Sequence, residues 1–293
     1  MRRYLLTLAW FCVACHSDRA TDPGGNAEPT DWLLFTSTRS GNYEIFRMHI
    51  DGNVIRQITS DPAVDQSGDF SPDGASFAFM ANRTGTYQVY VMRMSGVGLR
   101  ELTSGVSANG FPRWSPDGTR ILFTSRRDGN LELYVMKADG ASQTRLTFNT
   151  FDDNGGAWSP DGSRIAFVAG IGSVTDLFVM NADGSNVHRL TFDGSEKGAR
   201  LSWSPDGSKI LFHGFRDTAF DIFVVNADGT QLKALTTNPG NDRYPVWSPD
   251  GTRIAFASDR EDDDEIWVMN ADGTQPTRLT RVPGVDIPDA WHR

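Results

Sequence analysis

Acidic and amide side chains recur at one position of a repeated segment, and their spacing could build a cation or partner site. Five residues ahead of an aromatic residue stand Asp65, Asn109, Asp153, Gly198, Asp242 and Asp286. If the repeats surround one axis, the oxygen-bearing members form a ring at one mouth of a channel. Such a ring concentrates negative charge and attracts a metal ion such as Ca²⁺ or a basic peptide segment.

The same positions also have a structural explanation. Asp and Asn side chains often accept hydrogen bonds from their own loop, which is enough to explain a repeated Asp. At a spacing of ~9 Å, two carboxylates repel by roughly 0.5 kcal/mol in water and about 2 kcal/mol at an effective dielectric of 20. A ring of carboxylates exposed to water is therefore stable without a bound cation, whereas a partly buried ring is stabilised when a cation binds. The two interpretations stay open.

One repeat departs from this pattern. The segment between Trp158 and Trp203 carries one extra residue, so Gly198 stands at the ring position and the acidic Glu196 is displaced. In the preceding repeat, Asp152, Asp153 and Asn154 form the densest cluster of oxygen donors, without the spacing of an EF-hand. The acidic run 262–265 is expected to be a solvated loop tip.

Other catalytic or metal-binding constellations are not evident. The five histidines (His16, His49, His188, His213 and His292) share no position in the repeat, which argues against a multi-histidine metal centre. The chain has no Gly-x-Ser-x-Gly nucleophile motif. We therefore predict no catalytic residue, no metal centre and no cofactor.

A repeated five-residue phrase indicates the structural elements that position these residues. Phe70-Ser-Pro-Asp-Gly returns four times with Trp in place of Phe, at Trp114, Trp158, Trp203 and Trp247, and the serines step by 44, 44, 45 and 44 residues. Pro, Asp and Gly in this order form a tight turn. A period of this length, rich in short apolar strands, is typical of a β-propeller with one blade per repeat.

The count of blades follows from the strands around each turn. The second to fourth strands of a blade recur six times, over 32–59, 76–103, 120–147, 164–191, 209–236 and 253–280. The first set has no turn phrase ahead of it, and a matching inner segment, 286–291, lies at the C-terminus. We predict an all-β, six-bladed propeller over 31–293, with four-stranded blades, closed by the C-terminal strand joining blade one.

Two further periodic features are interpreted as structural. The aromatic residue ahead of each turn is expected to pack between neighbouring blades. Charged residues five apart across the hairpin of strands two and three are expected to pair, each pair contributing about 0–1 kcal/mol if exposed. The pairs are Arg39–Glu44, Arg127–Glu132, Arg216–Asp221 and Arg260–Glu265, with Arg83–Gln88 and Ile171–Asp176 as departures.

The repeated phrases resemble a known family. Trp-Ser-Pro-Asp-Gly, Met-Asn-Ala-Asp-Gly (180–184 and 269–273) and Arg-Leu-Thr (145–147, 189–191 and 278–280) are similar to the TolB-type propeller repeat, also called WD40-like or PD40. The resemblance covers about 31–293 and implies a periplasmic six-bladed propeller that binds proteins. The family's Tol translocation protein also has an α/β domain ahead of its propeller, so we expect a TolB-like propeller here and not a strict Tol-system component.

The composition of the chain argues against some classes of binding partner and some kinds of site. The formal charge of −9 argues against nucleic acid, whose phosphates require a basic face. Both cysteines, Cys12 and Cys15, lie ahead of the propeller, which leaves none for a disulfide or a metal site inside it.

The N-terminus has the pattern of an export signal. Two arginines precede an apolar run, 4–13, which is far shorter than the roughly 20 residues that span a bilayer. Val13-Ala14-Cys15 resembles the bacterial lipobox, with Cys12 in place of its usual leucine. We predict a signal peptide over 1–14, lipidation of Cys15 and a flexible tether over 15–30. A cleaved secretory signal and a cytosolic start are the alternatives. The resemblance to lipoproteins implies outer-membrane sorting, because His16 and not Asp follows the cysteine.

These observations predict a non-enzymatic bacterial envelope protein. It is expected to be a monomer, held in the periplasm by its lipid anchor alone, that binds a protein or peptide at the channel mouth, with a basic partner favoured by the acidic ring. The alternative is a propeller enzyme, a lyase or hydrolase acting on a carbohydrate or peptide in the channel.

The lipid anchor can be tested directly. Replacing Cys15 by Ser removes the sulfur at the position where the lipobox-like motif places lipidation, so the variant is expected to leave the membrane fraction. The measurement is the partitioning of the protein between membrane and soluble fractions of the bacterial cell, with Cys12→Ser as the matched control. Unchanged partitioning of Cys15→Ser contradicts the anchor.

Overall fold

The C-terminal strand completes the first blade and closes a ring of six. The computed structural model describes residues 31–171 and 174–293, where the strands form six sheets of four strands each. Strand β24 (Asp286–His292) lies antiparallel to β1 (Trp32–Ser37), with Trp32 opposite His292 and Ser37 opposite Asp286. The predicted architecture, blade count and closure are confirmed. The predicted signal peptide, Cys15 and tether lie outside the described residues.

Each blade is an antiparallel sheet that runs from the channel to the rim. From the inside outwards, blade one is β24, β1, β2 (Glu44–His49) and β3 (Ile55–Gln57). Blade two is β4 (Asp65–Phe70), β5 (Ser76–Ala81), β6 (Gln88–Arg93) and β7 (Arg100–Glu101). Blade three is β8 (Asn109–Trp114), β9 (Arg120–Ser125), β10 (Glu132–Lys137) and β11 (Thr144–Arg145).

The other three blades have the same order. Blade four is β12 (Asp152–Trp158), β13 (Arg164–Ile171), β14 (Val174–Asn181) and β15 (His188–Arg189). Blade five is β16 (Ser202–Trp203), β17 (Lys209–Arg216), β18 (Ala219–Asn226) and β19 (Lys233–Ala234). Blade six is β20 (Asp242–Trp247), β21 (Arg253–Ser258), β22 (Glu265–Asn270) and β23 (Thr277–Arg278). No helix able to cross a bilayer occurs among the residues described.

The Ser-Pro-Asp-Gly phrase forms a turn held by its own side chains. In blade three, Ser115 Oγ donates to Asp117 Oδ1 at 2.6 Å and accepts from the Arg120 N–H at 2.9 Å. Gly118 closes the turn at φ 69°, a conformation that favours glycine. The hydrogen bond from Ser115 is the main cause that lowers the pKa of Asp117 to about 2. The phrase therefore sets a rigid connection between the first two strands of a blade.

The apolar core lies between the blades. Six clusters of buried side chains occupy the six junctions between neighbours. The aromatic residue ahead of each turn belongs to the junction with the preceding blade, and Trp203, for example, lies in one cluster with Leu190 and Val168 of blade four. Arginines of the preceding blade cover some of these rings, with Arg164 4.8 Å from the centre of Trp203. The predicted packing role of the aromatic residues is confirmed.

A bulge in the inner strands directs side chains into the channel. In blade two, Ser67 and Gly68 together face one residue of β5, and the register shifts between Gln66 and Asp69. Similar shifts occur in blades three, four and six, and on the β1–β24 pair. Ser67 and Tyr244 take positive φ values of 60° and 57° at this point. Because a bulge turns the strand and changes which way side chains point, it sets what lines the channel.

The turn geometry predicts an acid-sensitive contribution to stability. Replacing Ser115 by Ala removes the bond to Asp117 and leaves the Arg120 N–H without its acceptor, which should lower the free energy of unfolding by about 1–2 kcal/mol at pH 7. Because the pKa of Asp117 is depressed in the folded state, its stabilisation is present above its ordinary pKa and is lost as the pH falls through about 2.

The measurement is urea unfolding of the wild-type protein and the variant at pH 7 and at pH 2.5. The difference between them should shrink at the lower pH, where the wild-type protein has begun to lose the same interaction. Ser104→Ala, at an exposed serine, serves as the control and should leave the midpoint unchanged. An undiminished difference at pH 2.5 would contradict the role of Asp117.

Candidate functional site

The predicted ring residues stand where the inner strands begin, at the end of the channel that we call the acidic end. Asp65, Asn109, Asp153, Asp242 and Asp286 are all buried. Each bonds to side chains near its own blade's hairpin or preceding loop. Arg127 donates to Asn109 at 2.9 Å, and Arg260 donates to Asp242 at 2.9 Å. The side chains therefore bond within their own blades, and one oxygen each of Asp65 and Asp153 has no partner in the described structure.

These contacts correct the predicted pairs across the hairpins. Among the described residues only Arg216–Asp221 forms as predicted, at 2.7 Å. The other arginines stack on the aromatic rings of strands two and three, as Arg260 does at 4.5 Å from the Trp267 centre, and reach the inner strand. The acids assigned to them bind elsewhere, and Glu265 pairs with Arg278 at 2.7 Å. The five-residue spacing identified the hairpin, but it did not show which of the two acidic side chains within reach of each arginine would pair with it.

Blade four lacks the arginine, and its inner acid is left partly unpartnered. Asp153 Oδ2 accepts from Asn149 Nδ2 at 2.6 Å, while the buried Oδ1 atom has no partner in the described structure. Burial raises the pKa of Asp153 to about 6. Burial also raises the pKa of Asp65 to about 7, and the nearby Glu44 adds to the effect against the opposing Arg83.

Blade five explains the gap in the predicted ring. The ring of His213 fills the space beside Gly198, where an added Cβ would lie 1.8 Å from the imidazole. Burial, with Arg243 and Arg200 nearby, lowers the pKa of His213 to about 3, so the ring is neutral. The displaced Glu196 is exposed. In this blade a neutral imidazole takes the place of the carboxylate.

The acidic side chains do not gather into one cluster. Within 31–171 and 174–293, no three His, Cys, Asp or Glu side chains are arranged to hold a metal ion. Asp152 lies at the surface, 3.6 Å from Arg126, and in the run 262–265 Asp262 and Asp263 are exposed whereas Glu265 is buried. The acidic end is thus built of separate, blade-internal networks.

One cavity lies at the opposite end of the inner strands, which carries the Ser-Pro-Asp-Gly turns and which we call the turn end. Its volume is about 270 Å³. Residues of all six inner segments line it, so it lies on the axis where the blades converge. Its wall includes prolines of the turns and the neighbouring tryptophans, namely Pro116, Pro160, Pro205, Pro249, Trp114, Trp158, Trp203, Trp247 and Trp291.

A buried arginine closes the channel above this cavity. Arg200 of blade five donates to Asp289 Oδ1 of blade one at 2.6 Å and to Ser67 Oγ of blade two at 2.7 Å. Its guanidinium also lies 4.9 Å from the centre of the Tyr244 ring. Blades two and five stand on opposite sides of a six-membered ring, so the bridge crosses the channel. Thr36 supports it by donating to Asp289 Oδ2 at 2.6 Å.

A second arginine lines the cavity without a close partner. Arg113 Nη1 lies 4.0 Å from Asp69 Oδ1 and makes only long contacts to the carbonyl oxygens of Gly68 and Pro112, at 3.4 and 3.5 Å. Asp69 accepts from the Trp114 N–H at 2.7 Å. Burial raises the pKa of Asp69 to about 6 and lowers the pKa of Arg113.

Sequence reasoning missed these four charged residues because they break the repeat. Asp69, Arg113, Arg200 and Asp289 occupy positions of the inner segment where the other blades carry different residue types. The signal that could have found them was this non-repetition, together with the extra residue ahead of Trp203. The arrangement offers a charged floor, an apolar wall and a closed upper boundary, which suit the binding of a ligand.

Comparison with known proteins gave matches of fold. A structure of TolB from Acinetobacter baumannii superimposes with a TM-score of 0.76 at 24% identity, over 90% of this chain and 66% of that one. The putative TolB from Agrobacterium tumefaciens gives 0.70 at 21% identity, over 89% and 92%. An oligogalacturonate lyase in complex with manganese gives 0.61 at 17% identity, over 85% and 74%. No curated protein matches the sequence.

The family assignment rests on the sequence model. The model of the PD40 family, described as the TolB beta propeller domain, matches residues 23–110, 101–212 and 197–292, which together span nearly the whole chain. This chain therefore belongs to the PD40 family of TolB β-propeller domains.

Proposed function

We propose that this propeller is a non-enzymatic binding protein that holds a protein or peptide partner in the cavity at the turn end. The observation that carries the proposal is the cavity itself, which all six inner segments line and which Arg200 closes from above. A cavity of about 270 Å³ is near the lower limit of ligand pockets, ~300–1,000 Å³. It suits a side chain or the end of a peptide held by a larger partner.

The walls of the cavity support a peptide ligand. Proline and tryptophan side chains offer apolar area with little conformational freedom to lose, and aromatic residues are enriched where proteins bind one another. The charged floor supplies orientation through a few polar groups, as is usual in binding sites. Family membership supports the same function, since protein binding is what the resemblance to TolB implies.

The proposed cellular setting is the bacterial periplasm, with an outer-membrane lipid anchor at Cys15. Membership of the TolB propeller family supports the periplasmic location. Asp31, where the described chain enters the propeller, accepts from the Trp291 indole N–H and lies 3.5 Å from Arg253.

The acidic positions stay a second hypothesis for partner or cation binding. Their burial and their bonds within the blades favour the structural interpretation. The double variant Asp153→Asn with Asp242→Asn tests this. Weaker cation or partner binding with an unchanged unfolding midpoint supports the binding role, whereas a loss of stability alone supports the structural one.

The enzymatic alternative has one specific observation in its favour. Arg113 and Arg200 converge with Asp69 and Asp289 at one cavity, and the fold is shared with an oligogalacturonate lyase. No histidine of the described chain lines the cavity. A lyase would create a carbon–carbon double bond in an oligogalacturonate, which ultraviolet absorption detects. Turnover that Arg113→Gln abolishes would replace the binding proposal.

The mouth used by the partner can be identified with matched substitutions. Pro160 lies at the edge of the cavity and is exposed, and Pro62 is an exposed proline near the acidic end. A Pro160→Trp side chain should cover part of the cavity and weaken partner binding by about tenfold or more. The partner is recovered from an envelope extract and its affinity is then measured with the purified components.

The Pro62→Trp variant is the control and should bind within about twofold of the wild-type protein. Both variants are checked by urea unfolding, so that a loss of fold is not taken for a loss of binding. If Pro62→Trp weakens binding and Pro160→Trp does not, the partner uses the acidic end and the proposed site is wrong.

A further inference from the structure

Arg113 is the charged group in the cavity that lacks a close counter-ion. Its side chain is 13% exposed and its nearest carboxylate oxygen, on Asp69, is 4.0 Å away. Within the described chain, its Nε and Nη2 atoms have no hydrogen-bond partner. None of these donors is among the fully buried unpartnered atoms of the described structure, so they reach solvent and are accessible to a ligand. The cavity thus presents unused donors.

Arg200 provides the contrast within the same cavity. Its two terminal nitrogens donate to Asp289 and Ser67 at 2.6 and 2.7 Å, and its plane faces Tyr244. Its charge is balanced by Asp289, which Thr36 holds in place. Arg200 therefore has a structural role, and Arg113 is left as the donor available to a ligand.

The charge balance indicates what the ligand carries. Two arginines and two aspartates line the cavity, but only the Arg200–Asp289 pair is in direct contact. The four side chains carry no net charge when both aspartates are ionised, so a monoanion beside Arg113 adds only one negative charge to the cavity, whereas a dianion adds two. The Nε and Nη2 donors of a guanidinium form a planar fork that matches the two oxygens of a carboxylate.

The shape of the cavity indicates where that carboxylate comes from. The Arg200 bridge closes the channel, so a peptide cannot thread past it and must end near Arg113 or turn back. The entrance at the turn end is walled by prolines and tryptophans, which suit an apolar side chain next to the carboxylate. Both features fit the last residue of a chain.

We propose that Arg113 binds the C-terminal carboxylate of a peptide whose apolar last residue enters the cavity from the turn end. The inference rests on the proposed function, since it specifies the ligand for the same cavity. It assigns a specificity-determining role to a residue that no repeat position marks. Asp69, held by the Trp114 N–H, keeps its carboxylate at a distance that leaves the fork of Arg113 open.

The test uses three small probes and calorimetric titration of the full chain. The probes are acetyl-Gly-Gly-Phe with a free carboxylate, the same peptide as its C-terminal amide, and acetyl-aspartate amide. The wild-type protein should bind the free acid at least about tenfold more tightly than the amide, because a hydrogen-bonded charge pair is lost in the amide. In Arg113→Gln this preference should fall to about twofold or less.

Two further variants distinguish the effects of charge and of guanidinium geometry on binding from an effect on folding. Arg113→Lys keeps the charge without the fork and should retain part of the preference. Arg126→Gln, at an arginine on the surface with a side chain 54% exposed, should keep all of it. Urea unfolding of each variant shows that the fold is intact, and a preference lost only in Arg113 variants with unchanged midpoints supports the inference.

The outcomes distinguish this inference from the proposed function. Equal binding of acid and amide to the wild-type protein overturns the carboxylate assignment and leaves the binding cavity standing. Binding of acetyl-aspartate amide as tight as that of the free-acid peptide assigns the carboxylate to a side chain and overturns the C-terminal assignment. Failure of every probe to bind counts against both the inference and the cavity.

Discussion

The pairing of β24 with β1 is the constraint on which the other features depend. Each blade buries its faces against its two neighbours, and blade one is adjacent to blade six only when the ring closes. The same strand that closes the ring carries Asp289 and Trp291 to the axis. Since Arg200 is anchored by Asp289, the closed channel above the cavity depends on the first and last strands of the described propeller sharing one sheet.

Positions that repeat in every blade build the scaffold, whereas positions that differ between the blades build the candidate site. Positions that repeat, such as the turn serine and aspartate or the aromatic residue at each junction, serve packing and connection in every blade. Positions that differ between blades meet on the axis, where a six-fold repetition of one charge would be repulsive. Arg113, Arg200 and Asp289 each come from a different blade, and their interactions would be impossible between identical residues.

Sequence reasoning reached the fold because periodicity and turn chemistry are local properties. The period of the turn phrase, the strand that is missing at the start and its counterpart at 286–291 together determine six blades. Sequence reasoning did not identify the cavity. In a bulged strand, the alternation of residues along the chain no longer gives the direction in which each side chain points. Two residues opposite one, as Ser67 and Gly68 are, change the face that the following residues present. Arg39 and Arg260 each have two acidic side chains within reach. The aromatic rings of neighbouring strands, on which these arginines stack, determine which acid each of them binds.

The two ends of the propeller differ in how their polar groups are satisfied. At the acidic end, carboxylates, arginines and threonines of one blade bond to one another, as in Thr59 donating to Glu44 at 2.6 Å, and one oxygen each of Asp65 and Asp153 is left without a partner in the described structure. At the turn end, the polar groups on the axis belong to different blades, and Arg113 is left with only long contacts. Hydrogen bonds within one blade add rigidity to that blade, whereas open donors in a rigid frame are pre-organised for a ligand. The acidic side chains thus bond within their own blades, and the donors left open on the axis belong to Arg113 at the other end.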